Sequence, residues 1–120
     1  MAERIRSIME NGKEILLVDM TNCPPSEVAH VARAIPNHVS GRPRGSVLLL
    51  VNFTGSSFDL EAIRTIKETA VFDKPYIKKS AWIGATEMRG KSHTEIEEFS
   101  RRKLPVFSSL QQAITWLVKD

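Results

Sequence analysis

Val47-Leu48-Leu49-Leu50-Val51 is the longest continuously apolar run in this chain. A strand with one face in water alternates apolar and polar side chains, whereas a strand covered on both faces is apolar throughout. The run is also far too short to span a bilayer, which requires about 20 apolar residues. It therefore predicts a central strand that is buried on both sides.

Segments before and after this run extend the predicted sheet. Asn11-Gly12 separates residues 4–8 from residues 14–19. Asn-Gly is the strongest short-range signal for a β-hairpin, because both central residues of its tight turn need a positive φ. Residues 76–83 and 105–107 are two further strand candidates, and the shorter one is expected near an edge of the sheet.

Four segments between the strands repeat apolar residues at helical spacing, which predicts four helices. Ser26, Asp59 and Ser109 are the predicted N-caps of three of them, and residues 92–97 offer overlapping capping boxes for the other. Pro36 is expected to kink or end the first helix. The apolar faces consist of Val28, Val31, Ala32 and Ile35, then Leu60, Ile63, Ile66 and Ala70, then Ile96 and Phe99, and lastly Ala113, Ile114 and Leu117.

Strands and helices thus alternate along the chain, which predicts right-handed crossovers onto a largely parallel sheet. A length of 120 residues suits one domain with a core of its own. We therefore expect a single α/β domain over residues 1–120. An N-terminal hairpin leads into a mostly parallel four- to five-stranded sheet, accompanied by about four helices.

Several classes of function are disfavoured by the residues present. Cys23 is the sole cysteine, so an intrachain disulfide cannot form and a reducing cytoplasm is the expected setting. His30, His38 and His93 lack metal-ligand spacing. The chain has neither a Gly-x-Ser-x-Gly nucleophile elbow nor a P-loop. We therefore expect no catalysis, no cofactor, no metal and no transmembrane segment.

The net charge of +3 raises the question of an acidic partner. Basic residues are scattered along the sequence, at Arg42 and Arg44, at Lys78 and Lys79, and at residues 101–103. A nucleic-acid site would need them on one face together with stacking aromatic residues. We therefore interpret them as a solvated surface and predict no nucleic-acid partner.

Ligands of alternating α/β sheets bind beyond the carboxyl ends of the strands. The richest such segment is Asn52-Phe53-Thr54-Gly55-Ser56-Ser57, between the central strand and a helix N-terminus. The free N–H groups of a helix N-terminus suit an anion or an attached phosphate. Hydroxyls in such loops also form local hydrogen bonds that cap helices and stabilise turns, and that alternative stays open. The candidate anion-binding or phospho-acceptor residues are Asn52, Thr54, Gly55, Ser56 and Ser57.

Two of these segments resemble a known family. Asn52-Phe53-Thr54-Gly55 is similar to the Asp-x-Ser/Thr-Gly strand end of anti-sigma-factor antagonists and STAS domains. Lys74-Pro75-Tyr76-Ile77-Lys78-Lys79-Ser80-Ala81-Trp82-Ile83-Gly84 resembles the Lys-Pro-aromatic-x-Lys-Lys-Ser-Ala-x-x-Gly segment of the SpoIIAA-like family. Residues 106–117 resemble that family's closing strand and helix, so the resemblance covers most of the chain from Gly12 onward.

The resemblance implies a STAS-like fold without catalysis, acting in regulation or in binding a hydrophobic ligand, since the family is compared with CRAL-TRIO lipid-binding domains. Thr54 falls where the antagonists carry their phosphorylated hydroxyl, and Gly55 matches their glycine. Asn52 stands where they have aspartate.

Two hypotheses follow. The first is a non-enzymatic regulatory domain that binds a protein partner through the loops after the strands, with Thr54 as a switch. The second is a carrier or sensor of a lipid-like ligand, held in an apolar pocket of Trp82, Met88, Ile96 and Phe99. Sequence alone leaves open whether these side chains enclose a gap or interdigitate, and whether the chain forms a homodimer.

Overall fold

A computed structural model describes residues 4–84 and 91–119. The described residues form a five-stranded sheet in the order β1-β2-β3-β4-β5. Its strands are β1 Ile5–Glu10, β2 Lys13–Asp19, β3 Val47–Asn52, β4 Ile77–Ile83 and β5 Val106–Phe107. The helices in the same residues are α1 Pro25–Val39, α2 Leu60–Asp73, α3 Lys91–Ser100 and α4 Leu110–Val118, with a short 3-10 helix at Lys74–Tyr76.

The sheet is mostly parallel. β1 and β2 are antiparallel, whereas β2, β3, β4 and β5 pair in parallel with their neighbours. The predicted α/β class and mostly parallel sheet are therefore confirmed. The hairpin is also confirmed, because Asn11 has φ 51° and Gly12 has φ 75°, as a turn of two left-handed residues requires.

The apolar run in β3 is buried on both faces, as its composition predicts. Leu49 and Val51 belong to the core cluster beneath α1, α2 and α3. Leu48 and Leu50 belong to the cluster beneath α4. Successive strand residues point to opposite faces, so each of the two cores needs apolar residues from this one strand.

Two predictions about helix ends and faces are wrong, and a third is wrong in part. The N-cap of α1 is Pro24, with no side-chain hydrogen bond, and not Ser26. Pro25 occupies the first helical position, where a missing N–H costs nothing. Pro36, which was expected to kink or end α1, does not end it, because the helix continues to a fully buried Val39 and core packing compensates for the lost hydrogen bond. Leu60 is 90% exposed, because it lies on the side of α2 opposite the fully buried Ala62.

The two other predicted caps are confirmed. The Asp59 carboxylate accepts a hydrogen bond from Ala62 N at 2.8 Å, and Ser109 Oγ accepts one from Gln112 N at 3.2 Å. Across the described residues, every helix is too short or too polar to cross a membrane.

Candidate functional site

The loops that follow β2, β3 and β4 are joined by backbone hydrogen bonds. Met20 N donates to Asn52 O at 2.8 Å, Asn22 N donates to Thr54 O at 2.8 Å, and Phe53 N donates to Ile83 O at 2.8 Å. These bonds bring residues 19–22, residues 52–57 and Gly84 into one surface, which we call the carboxyl rim.

Thr54 lies in the middle of the carboxyl rim. Its side chain is exposed, and its Oγ1 donates to Asn52 Oδ1 at 2.6 Å while its backbone N donates to the same oxygen at 3.0 Å. Asn52, the last residue of β3, therefore orients the Thr54 hydroxyl.

The same arrangement recurs on the neighbouring strand. Asp19 Oδ1 accepts from Thr21 Oγ1 at 2.7 Å and from Thr21 N at 3.0 Å. Burial raises the pKa of the Asp19 carboxyl, but hydrogen bonds from Thr21 and the charges of Arg4 and Arg6 together hold it below its ordinary value. The rim thus carries two oriented threonines, one beside a carboxylate and one beside a neutral amide.

Two glycines allow the loops to approach one another. Gly55 has φ 74° and Gly84 has φ 68°, a region that other L-residues rarely adopt. A Cβ on Gly84 would lie 2.6 Å from Thr54 Oγ1 and 2.9 Å from Thr54 N and Cα. A Cβ on Gly55 would collide with the Asn22 side chain. Sequence reasoning placed Gly55 in the site but did not place Gly84 against Thr54, although a glycine ending a buried strand was a usable signal.

The two serines of the candidate loop have different environments. Ser56 is 2% exposed, and its Oγ donates to Phe53 O at 2.5 Å, so it closes a turn and is not presented at the rim. Ser57 is exposed, and its backbone N donates to Cys23 O. The start of α2 is already capped by the Asp59 carboxylate, which occupies the place that an anion would take. The exposed hydroxyls of this loop are therefore those of Thr54 and Ser57.

Of the three candidates for an apolar pocket that the structure describes, two lie together and one does not. Trp82 and Ile96 are buried in the same core cluster. The Trp82 ring centroid lies 5.0 Å from that of Phe53. Phe99 is 59% exposed, with Lys67 Nζ 6.0 Å from its ring centroid, so it faces away from the core. Met88 lies outside the described residues.

Trp82 does border an interior cavity, with a volume of about 30 Å³. One water needs roughly 10–15 Å³ of such space, whereas pockets for small-molecule ligands measure roughly 300–1,000 Å³. This cavity therefore accommodates one or two waters and not an acyl chain. It lends no support to the lipid-carrier hypothesis.

Three polar groups border the same cavity: Asp73, Ser80 and Arg102. Asp73 Oδ1, Ser80 Oγ and Arg102 Nη2 are buried and find no hydrogen-bond partner among the described residues. Burial raises the pKa of Asp73 to about 7, against the opposing charge of Arg102. Burial likewise lowers the pKa of Arg102, whose Nη1 donates to Ala70 O at 3.1 Å.

Sequence reasoning missed this polar cluster. Its residues come from the end of α2, the middle of β4 and the segment after α3. The one local signal was Ser80, a polar residue at the start of the buried half of a strand.

Cys23 is buried, and burial raises the pKa of its thiol. In the described parts of the chain, no three His, Cys, Asp or Glu side chains are grouped to hold a metal ion.

In comparisons with protein-family models, curated proteins and solved structures, the chain matches none of them.

Proposed function

We propose that this chain is a non-enzymatic, STAS-like regulatory domain that binds a protein partner through the carboxyl rim, with Thr54 as a phosphorylation switch. The observation that carries the proposal is the exposed Thr54 hydroxyl, held by Asn52 at the point where three loops are hydrogen-bonded together. The resemblance at residues 52–55 and 74–84 supports the same function.

A phosphate on Thr54 changes the rim in two ways. It replaces the hydroxyl proton that Thr54 donates to Asn52 Oδ1, so this hydrogen bond is lost. It also adds a charge of about −1.5 to −2 to a surface that already carries the Asp19 carboxylate. A partner that binds the unmodified rim would therefore lose contacts and meet like charge, which is how a regulatory switch works.

Phosphorylation is tested by incubating the purified chain with ATP and cell extract, then mapping phosphates by mass spectrometry. We expect modification of the native chain and of Thr54→Ser, and none at this position in Thr54→Ala. Thr21→Ala is the matched control, because Thr21 makes the equivalent hydrogen bonds to Asp19. Equal total modification of the native chain and Thr54→Ala would remove the switch from the proposal.

Asn52→Ala is expected to lower the free energy of unfolding by about 1–2 kcal/mol, because two donors of Thr54 lose their acceptor. Asn52→Asp keeps the acceptor and copies the Asp19–Thr21 pair, so we expect a change within about 0.5 kcal/mol. Urea denaturation of both variants checks this prediction. If Asn52→Asp is as destabilised as Asn52→Ala, a carboxylate cannot replace the amide here.

Partner binding is tested by site-specific crosslinking. Cys23 is buried, so a Ser57→Cys variant offers one reactive thiol, at the rim, for a photo-crosslinker. Arg44→Cys places the same probe at the opposite end of the sheet, before β3. We expect a protein crosslinked to the rim probe, absent with the control and reduced by Thr54→Glu. The same products from both probes would contradict a partner site at the rim.

A further inference from the structure

A second surface of the protein is strongly basic. A pocket of about 380 Å³ lies beside the first half of β4. The residues that line it include six cations and no carboxylate. The cations are Lys74, Lys78, Lys79, Arg101, Arg102 and Lys103.

The fold assembles this pocket from distant parts of the chain. Lys74 belongs to the 3-10 helix, Lys78 and Lys79 belong to β4, and residues 101–103 follow α3. Basic residues that are scattered along the sequence, at Lys78, Lys79 and residues 101–103, therefore lie together in space, whereas Arg42 and Arg44 are not among the residues that line this pocket. β4 and the segment after α3 line the same pocket, although they are separated along the chain.

Four of the cations are available to a ligand. Lys79 Nζ already donates to the carbonyls of Trp116 at 3.0 Å and Lys119 at 2.6 Å, at the end of α4. Arg102 is held by Ala70 O. The other four, which are exposed, pair with no carboxylate in residues 4–84 and 91–119; they are Lys74, Lys78, Arg101 and Lys103.

Buried donors also lie at the base of this pocket. Ser80 and Arg102 line both the basic pocket and the interior cavity. Ser80 is 3% exposed, and both Ser80 Oγ and Arg102 Nη2 lack a partner among the described residues. Leaving a buried donor unpaired is unfavourable, so a ligand oxygen that reaches these two groups would be bound favourably.

Edge protection is the competing explanation for some of these charges. β4 has β5 as a neighbour only at Trp82 and Ile83, and lysines on an open edge discourage pairing with another chain. Protection of the open edge of β4 explains the presence of Lys78 and Lys79. It does not explain residues 101–103, which lie outside the strand, or the unpaired Ser80 hydroxyl.

We infer that the basic pocket binds a small molecule carrying two or more phosphate groups. Clustered cations repel one another, and a multiply charged anion relieves that repulsion. The volume lies within the range of small-molecule sites, and the four exposed cations match the charge of a diphosphate or triphosphate. Trp116 also lines this pocket, with Lys79 Nζ 5.1 Å from its ring centroid.

Binding is measured by calorimetry at constant ionic strength, with pyrophosphate, inorganic triphosphate and ATP as probes and hexaglutamate as the comparison. We expect the triphosphate to bind and its affinity to fall with added salt. Equal affinity for ATP and triphosphate would assign recognition to the phosphate chain, whereas tighter binding of ATP would assign a contact to the nucleoside. Either result supports the inference.

Lys78→Gln and Arg101→Gln are each expected to weaken triphosphate binding by about ten-fold or more. Arg64→Gln is the matched control, since Arg64 is an exposed cation on α2 outside the pocket, and it should bind as the native chain does. Far-ultraviolet circular dichroism confirms that each variant is folded.

Three results would overturn the inference: no heat from any phosphate at millimolar concentration, unchanged affinity in both pocket variants, or binding of hexaglutamate alone. Thr54→Ala should bind triphosphate normally, because Thr54 does not line this pocket. A failure of the phosphate-binding inference can therefore be distinguished from a failure of the proposed function at the carboxyl rim.

Discussion

Asp73→Asn is expected to raise the free energy of unfolding at pH 8 by at most about 4 kcal/mol, because the substitution also removes the opposite charge beside Arg102. Burial raises the pKa of Asp73 from 3.8 to about 7, and each pKa unit corresponds to about 1.4 kcal/mol. Between these two pH values the folded chain retains a proton that the unfolded chain has lost. The stability contributed by this group is therefore complete below pH 3.8 and is lost as the pH rises through 7. Asparagine is neutral throughout and avoids that loss.

The measurement is urea denaturation of the native chain and Asp73→Asn between pH 4 and pH 8. We expect the native chain to lose stability relative to the variant across this interval. Ser80→Ala is the control, because it removes an unpaired hydroxyl at the same cavity without changing a charge. If Asp73→Asn is less stable than the native chain at pH 8, the Arg102 charge outweighs burial and the sign of our prediction is wrong.

Gly84→Ala is expected to lower the free energy of unfolding by about 3 kcal/mol. The left-handed backbone at φ 68° costs an L-residue about 1–2 kcal/mol. The new Cβ would also lie 2.9 Å from the backbone N and Cα of Thr54, so the loops after β3 and β4 must separate. Overpacking of that kind costs about 1–3 kcal/mol.

Gly45→Ala separates the two contributions. Gly45 has φ 66°, and a Cβ added there meets no atom within 4 Å, so only the backbone cost applies. Chemical denaturation of both variants gives the packing contribution as their difference. Equal destabilisation of the two variants would mean that the close approach of Gly84 to Thr54 does not matter for stability.

Local sequence was sufficient for the elements that position the rim. The apolar residues of β3, the Asn11-Gly12 turn and the Asp59 and Ser109 caps each depend on neighbours within a few positions. Steric and hydrogen-bonding preferences over that range are strong enough to be read directly. The placement of Asn52 and Thr54 at a strand end follows from the same local reasoning.

Errors occurred where packing overrode local preference. Pro36 was expected to kink or end α1, but the helix does not end there, because the buried Val39 holds the last turn in place. Phe99 has the spacing of an apolar face yet is exposed, because α3 turns that position away from the core.

Tertiary structure alone decided the two features with the greatest consequences. Asp73, Ser80 and Arg102 meet at a cavity, and six cations meet in one pocket. Their members come from elements that only the crossover connections and the pairing of β4 bring together. Burial and electrostatic potential depend on distances in space, so neither the raised pKa of Asp73 nor the density of positive charge has a counterpart in local sequence.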